Sequence, residues 1–201
     1  KARTQIMEDK RARLLCKSGY NQALQGPASV LNRGIVFPYT PTIQTQVQVA
    51  YSKYDLVHTN SQPHAFQSSS PPGIQITATF YQQTTEEIQY LAGVYHFLRV
   101  VTKMNFGEGD PDRGAPPPVL EFSAYGATNY ERVPVLVGGF TQSFPDDVDY
   151  VEASVGGGVV QMPTVATIAM DLLVQYSPRR TKSQFTLNGF ANGSLYRGGF
   201  I

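Results

Sequence analysis

The chain holds no tryptophan and only one cysteine in 201 residues. Cys16 cannot close an internal disulfide, so oxidative cross-linking plays no part in its stability, which fits assembly in a reducing cytoplasm. A zinc set is excluded on the same ground: His58, His64 and His96 stand in no ligand spacing and far from the thiol. No run of about 18 apolar residues is present, hence no membrane-spanning helix. The chain opens on Lys1 instead of Met; a trimmed start is expected, and nothing near it has the apolar core of a signal peptide. The missing indole weighs against a sugar-binding surface, which draws on exposed aromatic platforms, although tyrosine can substitute.

Catalytic patterns are missing too. There is no Gly-x-Ser-x-Gly elbow, and Gly156–Gly158 lacks the Lys and Ser/Thr of a phosphate loop. Glu108, Asp110 and Asp112 begin like a calcium loop, but Pro111 and Pro116–Pro118 cut the pattern short. Asp146, Asp147 and Asp149 are the best carboxylate cluster. They lack a closing Glu, and adjacent carboxylates point apart instead of facing one another across a substrate. No catalytic, cofactor or metal residues are expected, and the chain reads as a non-enzyme.

What is present is charge in blocks. Residues 1–107 carry ten Lys/Arg against five Asp/Glu, residues 108–152 two against nine, and residues 153–201 four against one. Such blocks suit complementary acidic and basic surfaces meeting between subunits, or simply solvated loops. The basic N-terminal segment and Arg179, Arg180 and Lys182 could touch phosphates, but no nucleic-acid-reading motif accompanies them.

The length fits one domain. Residues 1–17 (KARTQIMEDKRARLLCK) read as a short basic helix with Ile6, Met7, Leu14 and Leu15 on a weak stripe, followed by a Gly/Pro/Asn-punctuated extended connector. IQTQVQVAY (43–51) alternates as a half-buried strand with Gln44, Gln46 and Gln48 on a wet face. Residues 52–73 form a long loop or projecting hairpin. ITATF (76–80) is a second strand.

The clearest helix follows. Thr84 and Glu87 fit a capping box, with Arg99 and Lys103 at the other end. Ile88, Leu91, Tyr95 and Leu98 form one stripe and Val94, Phe97 and Val101 a second, which predicts burial on two sides, by the sheet and by a neighbouring subunit. Strand patterns resume at 119–124, 133–144 and 164–176, with a bulge or close backbone approach at Gly138 and Gly139. Between the last two lies an extended hairpin or mobile loop. The tail interleaves Gly and Asn with Phe185, Phe190, Tyr196 and Phe200, the pattern of a docking arm.

The fold expected from these elements is α+β, mainly β: a barrel or sandwich flanked by one long helix, with extended N- and C-terminal arms. Residues 1–34 form the basic helix and connector, 35–178 the domain and 179–201 the arm. Subunit contacts are expected at Ile88, Leu91, Tyr95 and Phe97 of the helix and at Arg179, Arg180, Phe185, Phe190, Tyr196 and Phe200 of the tail.

Five stretches in unbroken order carry a resemblance: VFPYTPTI (36–43), TEEIQYLAGVYHFLRVVTKMNFG (85–107), GAPPPVLEFSAYG (114–126), SFPDDVDYV (143–151) and DLLVQYSP (171–178). Together they resemble the baseplate tail-tube junction proteins of contractile-tailed bacteriophages, over about residues 30–178. That resemblance implies a tail-tube fold assembled as a six-fold ring of copies of the chain in the virion's tail baseplate, built in the host cytoplasm. The partners implied are the baseplate hub, the tail-tube protein, and the sheath or a second junction ring. The ring would initiate tube polymerisation around a channel that DNA traverses without sequence-specific binding. An acidic lumen would let DNA slide, and Asp146, Asp147 and Asp149 are its candidates. The alternative is a monomeric β-sandwich that binds carbohydrate or protein.

Overall fold

The computed structural model describes residues 10–17, 22–110, 112–126 and 128–201. In chain order these form β1 (Arg13–Cys16), two 3-10 turns (Gln22–Leu24, Gly26–Leu31), β2 (Gly34–Val36), β3 (Thr42–Gln46), β4 (Val49–Lys53), β5 (His64–Ser69) and β6 (Gly73–Tyr81). Then follow α1 (Thr85–Val101), β7 (Leu120–Ala124), β8 (Tyr130–Ser143), β9 (Tyr150–Val155), β10 (Gly158–Pro163), β11 (Val165–Val174), α2 (Pro178–Gln184), α3 (Leu187–Ala191) and a last 3-10 turn (Tyr196–Gly198). The chain is mostly β, with a large antiparallel sheet and few helices.

Among the described residues, seven strands form that sheet in the order β2-β1-β7-β8-β11-β6-β3. Period-two alternation selects the inner face. Ile74, Ile76, Ala78 and Phe80 of β6, and Ala166, Ile168, Met170, Leu172 and Val174 of β11, are all buried. Each large aliphatic or aromatic side chain removed from water in this way contributes about 1.5–3 kcal/mol. β8 and β11 slip register where Asp171 opposite Gly139 gives way to Leu172 opposite Val137, leaving Gly138 as the extra residue. This is the bulge that the glycine pair suggested.

The sheet is curled. β2 and β3 lie at its opposite ends, yet only residues 37–41 separate them in the chain. Six Cα steps reach at most about 22 Å, whereas six inter-strand spacings across a flat sheet span about 29 Å. Cross-links confirm the curl: Thr45 Oγ1 meets the Tyr130 hydroxyl at 2.6 Å, and the Tyr125 hydroxyl donates to the Pro41 carbonyl at 3.3 Å. The result is an open, barrel-like wall, not the two stacked sheets of a sandwich.

α1 begins as expected. Thr84 Oγ1 accepts from the Glu87 amide, and Glu87 Oε2 accepts from the amides of Gln83 (2.8 Å) and Thr84 (3.1 Å). Those donors, Gln83 first, hold the Glu87 carboxyl below its ordinary range. Both apolar stripes are buried, but the second is covered by the chain itself. The 3-10 turn Gly26–Leu31 packs on the helix at Gly93. A Cβ on Gly93 would lie 2.9 Å from both the Pro27 carbonyl oxygen and Val30 Cγ2, so only glycine permits that approach. On another side Gln89 Nε2 donates to the Ser154 carbonyl of β9 (2.9 Å). No neighbouring subunit is needed to bury this helix.

Both terminal expectations change. Residues 1–9 of the expected basic helix lie outside the described residues, and of the rest Arg13–Cys16 is strand, not helix: Ala12, Leu14 and Cys16 alternate inward as β1 takes its place between β2 and β7. The connector is not extended; its described part forms the two 3-10 turns. Burial pushes the Cys16 thiol from its ordinary 9.0 up to about 11, against a smaller downward pull from Arg33. An unfolded thiol ionises first as pH rises, so this group's contribution to stability is complete below about pH 9 and is lost as pH climbs through about 11. Thiol labelling at about pH 8 is therefore expected to run ~100-fold slower in the native chain than in urea, two units of pKa being a hundredfold in thiolate. Equal rates would show that β1 does not bury Cys16.

The tail is helical, not an extended arm, and it folds back on its own domain. Phe200 is 3% exposed, stacks on Tyr176 with centroids 4.9 Å apart, and lies 4.9 Å below the Arg180 guanidinium. The Ile201 amide donates to the Tyr176 hydroxyl at 3.1 Å. Phe185 meets both Phe190 and Phe200 at 5.9 Å, and Phe190 meets Tyr196 at 5.4 Å, so the four tail aromatics form one cluster. Gly199 (φ 75°) makes the tight approach to β8, where a Cβ would sit 2.5 Å from the Arg132 carbonyl oxygen.

Candidate functional site

The expected strand 43–51 is two strands in different sheets. β3 joins the main sheet through β6, ending at Gln46 opposite Gly73. β4 and β5 pair only with each other among the described residues, so residues 47–72 are a ribbon inserted at the tip of the β3–β6 hairpin. A bulge falls between Ala50 and Tyr51. Beyond it Tyr51 lies opposite Phe66 and meets it edge-on at 6.1 Å. Both rings face solvent, at 59% and 63% exposure, and Val57 near the tip reaches 82%. Val47, Val49, Tyr54 and Leu56 are exposed beside them. An isolated two-stranded ribbon is marginal in water, and so many exposed apolar side chains on one such ribbon mark a contact site.

A second feature lies at the seam of the curled sheet. The Gln82 amide donates to the Thr164 carbonyl (2.8 Å), on the β11 side. Alternate residues of a strand turn their main-chain groups to opposite edges, so those of Thr79 and Tyr81 turn the other way. There the ladder with β3 stops at Thr77. Across the seam the free edge of β2 is closed by one hydroxyl: Tyr90 donates to the Val36 carbonyl (2.7 Å) and accepts from the Val36 amide (2.8 Å). Burial raises the Tyr90 hydroxyl above its ordinary pKa, opposed by the Val36 bond and by Arg11.

Between these edges is a cleft of about 350 Å³, lined by Pro38, Tyr39, Phe80, Tyr81 and Gln82, with Arg11, Glu86 and Glu87 as its charged groups and Val36 and Tyr90 completing it. That size is at the small end of the range for ligand sites, about 300–1,000 Å³. Tyr39 and Tyr81 stand edge-on at 5.3 Å, each half exposed. Gln82 is 1% exposed, and neither its Nε2 nor its Oε1 has a hydrogen-bond partner. A buried polar group left so costs about 1–3 kcal/mol. Gln82 extends the inward series Ile74, Ile76, Ala78, Phe80, so a polar residue at a core-facing position was the signal in the sequence. No motif marks it.

The expected contact residues are scattered. Ile88, Leu91 and Phe97 are fully buried, and Tyr95 nearly so, its ring edge-on to Phe144 at 5.7 Å. They present no surface to a partner. Phe190 and Tyr196 are half-buried within the tail cluster, Phe200 is closed off, and Phe185 remains partly open. Arg179 is exposed, whereas Arg180 lies over Phe200 and donates to Gln184 Oε1 (3.1 Å). Asp146, Asp147 and Asp149 are exposed in the turn before β9. Among the described residues no group of three or more His, Cys, Asp or Glu is placed to hold a metal ion, and no helix is long and apolar enough to cross a membrane. No protein-family model matches the chain, and no curated protein matches it either.

Proposed function

We propose that the chain is a structural subunit of a contractile phage tail, forming a six-fold baseplate ring that joins the central hub to the tail tube and initiates tube polymerisation around the DNA channel. The observation that carries this reading is the β4–β5 ribbon, which leaves the sheet at Gln46 and Gly73 with its aromatic and aliphatic side chains uncovered. A ribbon of that composition is made to be covered by another chain. Contacts of one surface with a different surface on the next copy close into rings when the rotation closes. The sequence resemblance to tail-tube junction proteins supplies the ring's place in the tail. The outer face of the sheet, with Gln75, Thr77, Thr141, Ser143 and Asp171 exposed, suits a channel wall that DNA passes without binding. The acidic turn Asp146–Asp149 adds negative charge that phosphates would avoid.

Electron microscopy of the protein with and without its baseplate hub tests the proposal. Hollow six-fold rings seated at the base of the tube are expected. A monomer that neither stacks nor joins the hub would refute it.

A further inference from the structure

The ribbon lacks a cover and the seam cleft lacks an occupant. We propose that the two are halves of one contact: the β4–β5 ribbon of one copy seats in the Gln82 cleft of the next. This inference rests on the ring reading and names the acceptor surface within it.

Three observations favour a second copy's ribbon over other occupants. The first is main-chain demand on both sides. The ribbon has two strand edges that pair with nothing among the described residues, and β6 has an edge from Thr79 to Tyr81, beside the cleft, with which no described strand pairs. Strand addition satisfies both. The second is the orphaned carboxamide of Gln82. One donor and one acceptor side by side complement a strand edge, where the C=O and N–H of a single residue point to the same side. Gln82 lines the cleft behind the half-exposed Tyr39 and Tyr81, and a strand edge that parts those rings on seating would reach a side chain that the single chain leaves unbonded. The third is side-chain and charge matching. Tyr39 and Tyr81 offer half-exposed rings to Tyr51 and Phe66. The cleft carries Glu86 and Glu87 together with Arg11, and the ribbon brings both signs to them, Lys53 opposite His64 at its last ladder pair and Asp55 just beyond.

The contact is heterologous, ribbon to cleft, so it propagates around a ring and leaves neither feature exposed once closed. It also explains why a core-facing position carries glutamine: the amide costs stability in the isolated chain and regains it in the assembly.

The test uses the chain's lack of accessible thiols, Cys16 being buried. Phe66→Cys and Tyr81→Cys variants are prepared separately, mixed under ring-forming conditions with the hub, and treated with a short bis-maleimide. A cross-linked dimer is expected in the mixture and not in either variant alone. In parallel, Gln82→Leu is expected to melt at or above the wild-type temperature while ring yield falls about tenfold, the effect of one contact of roughly 1.4 kcal/mol. A role confined to folding would move the melting temperature and the yield together. Rings that form with no mixed cross-link and with Gln82→Leu yield unchanged would overturn this contact and leave the ring reading standing. Failure of the wild-type chain to form any ring with the hub would overturn that reading and this inference with it.

Discussion

Replacing Phe97 by alanine is expected to cost about 3–5 kcal/mol of folding stability, because a fully buried ring is lost and α1 cannot sink to fill the gap. The helix is held on several sides: on one by the sheet, on another by the turn Gly26–Leu31 with Gly93 in backbone contact, and beside it by β9. Elements pinned in this way relax little, which places the cost in the upper part of the range for core truncation. In a chain of this size each kcal/mol shifts the melting temperature by about 2–4 °C, so the variant should melt roughly 6–20 °C below wild type by circular dichroism. Its loss of assembly, if seen, should follow the loss of fold. A variant that melts within a degree or two of wild type but fails to assemble would return Phe97 to an interface, with Ile88, Leu91 and Tyr95 beside it.

That contrast between core and contact is also where the sequence was hardest to read. Elements governed by local chemistry were legible: Thr84 and Glu87 announce the start of α1, alternation announces β6, an apolar strand pattern announces β11, and the Gly138–Gly139 pair marks the bulge. The hairpin between Ser143 and Thr164 was legible as one of two alternatives, with Gly156 and Gly157 turning it. Elements whose structure depends on distant partners were not. Arg13–Cys16 is too short to show a period, and only the pairing of Leu14 with Ile35 and Phe122 makes it a strand. The two stripes of α1 correctly predicted burial on two sides, but no local pattern tells whether the second cover comes from residues 26–31 or from another chain. The tail aromatics raised the same ambiguity: spacing shows that they will be covered, and Tyr176 and Arg180 supply that cover from within the chain. The sites at the surface were visible by composition, since 52–73 reads as a projecting element. The break between Gln46 and Val49, which turns a single strand into a sheet strand and a ribbon, was not.

Excising that ribbon is expected to separate folding from assembly. β3 and β6 already pair at Gln46 and Gly73, so replacing residues 48–70 by an Asn-Gly link reconnects two adjacent antiparallel strands through a short turn. The segment removed contributes none of the large buried side chains, and β4 and β5 make their main contacts with each other. Unfolding by urea should therefore stay within about 0.5–1 kcal/mol of wild type, the scale of surface changes that touch no core feature. The exposed faces of Tyr51, Phe66, Leu56 and Val57 go with it, and with them the surface on which the ring contact depends. Ring formation with the hub, counted by electron microscopy, should fall below detection. The shortened chain should remain a monomer by light scattering, with native circular dichroism. Rings at wild-type yield from this well-folded variant would move the subunit contact off the ribbon altogether. A chain that no longer folds would show instead that the ribbon, for all its exposure, holds the β3–β6 edge of the sheet in place.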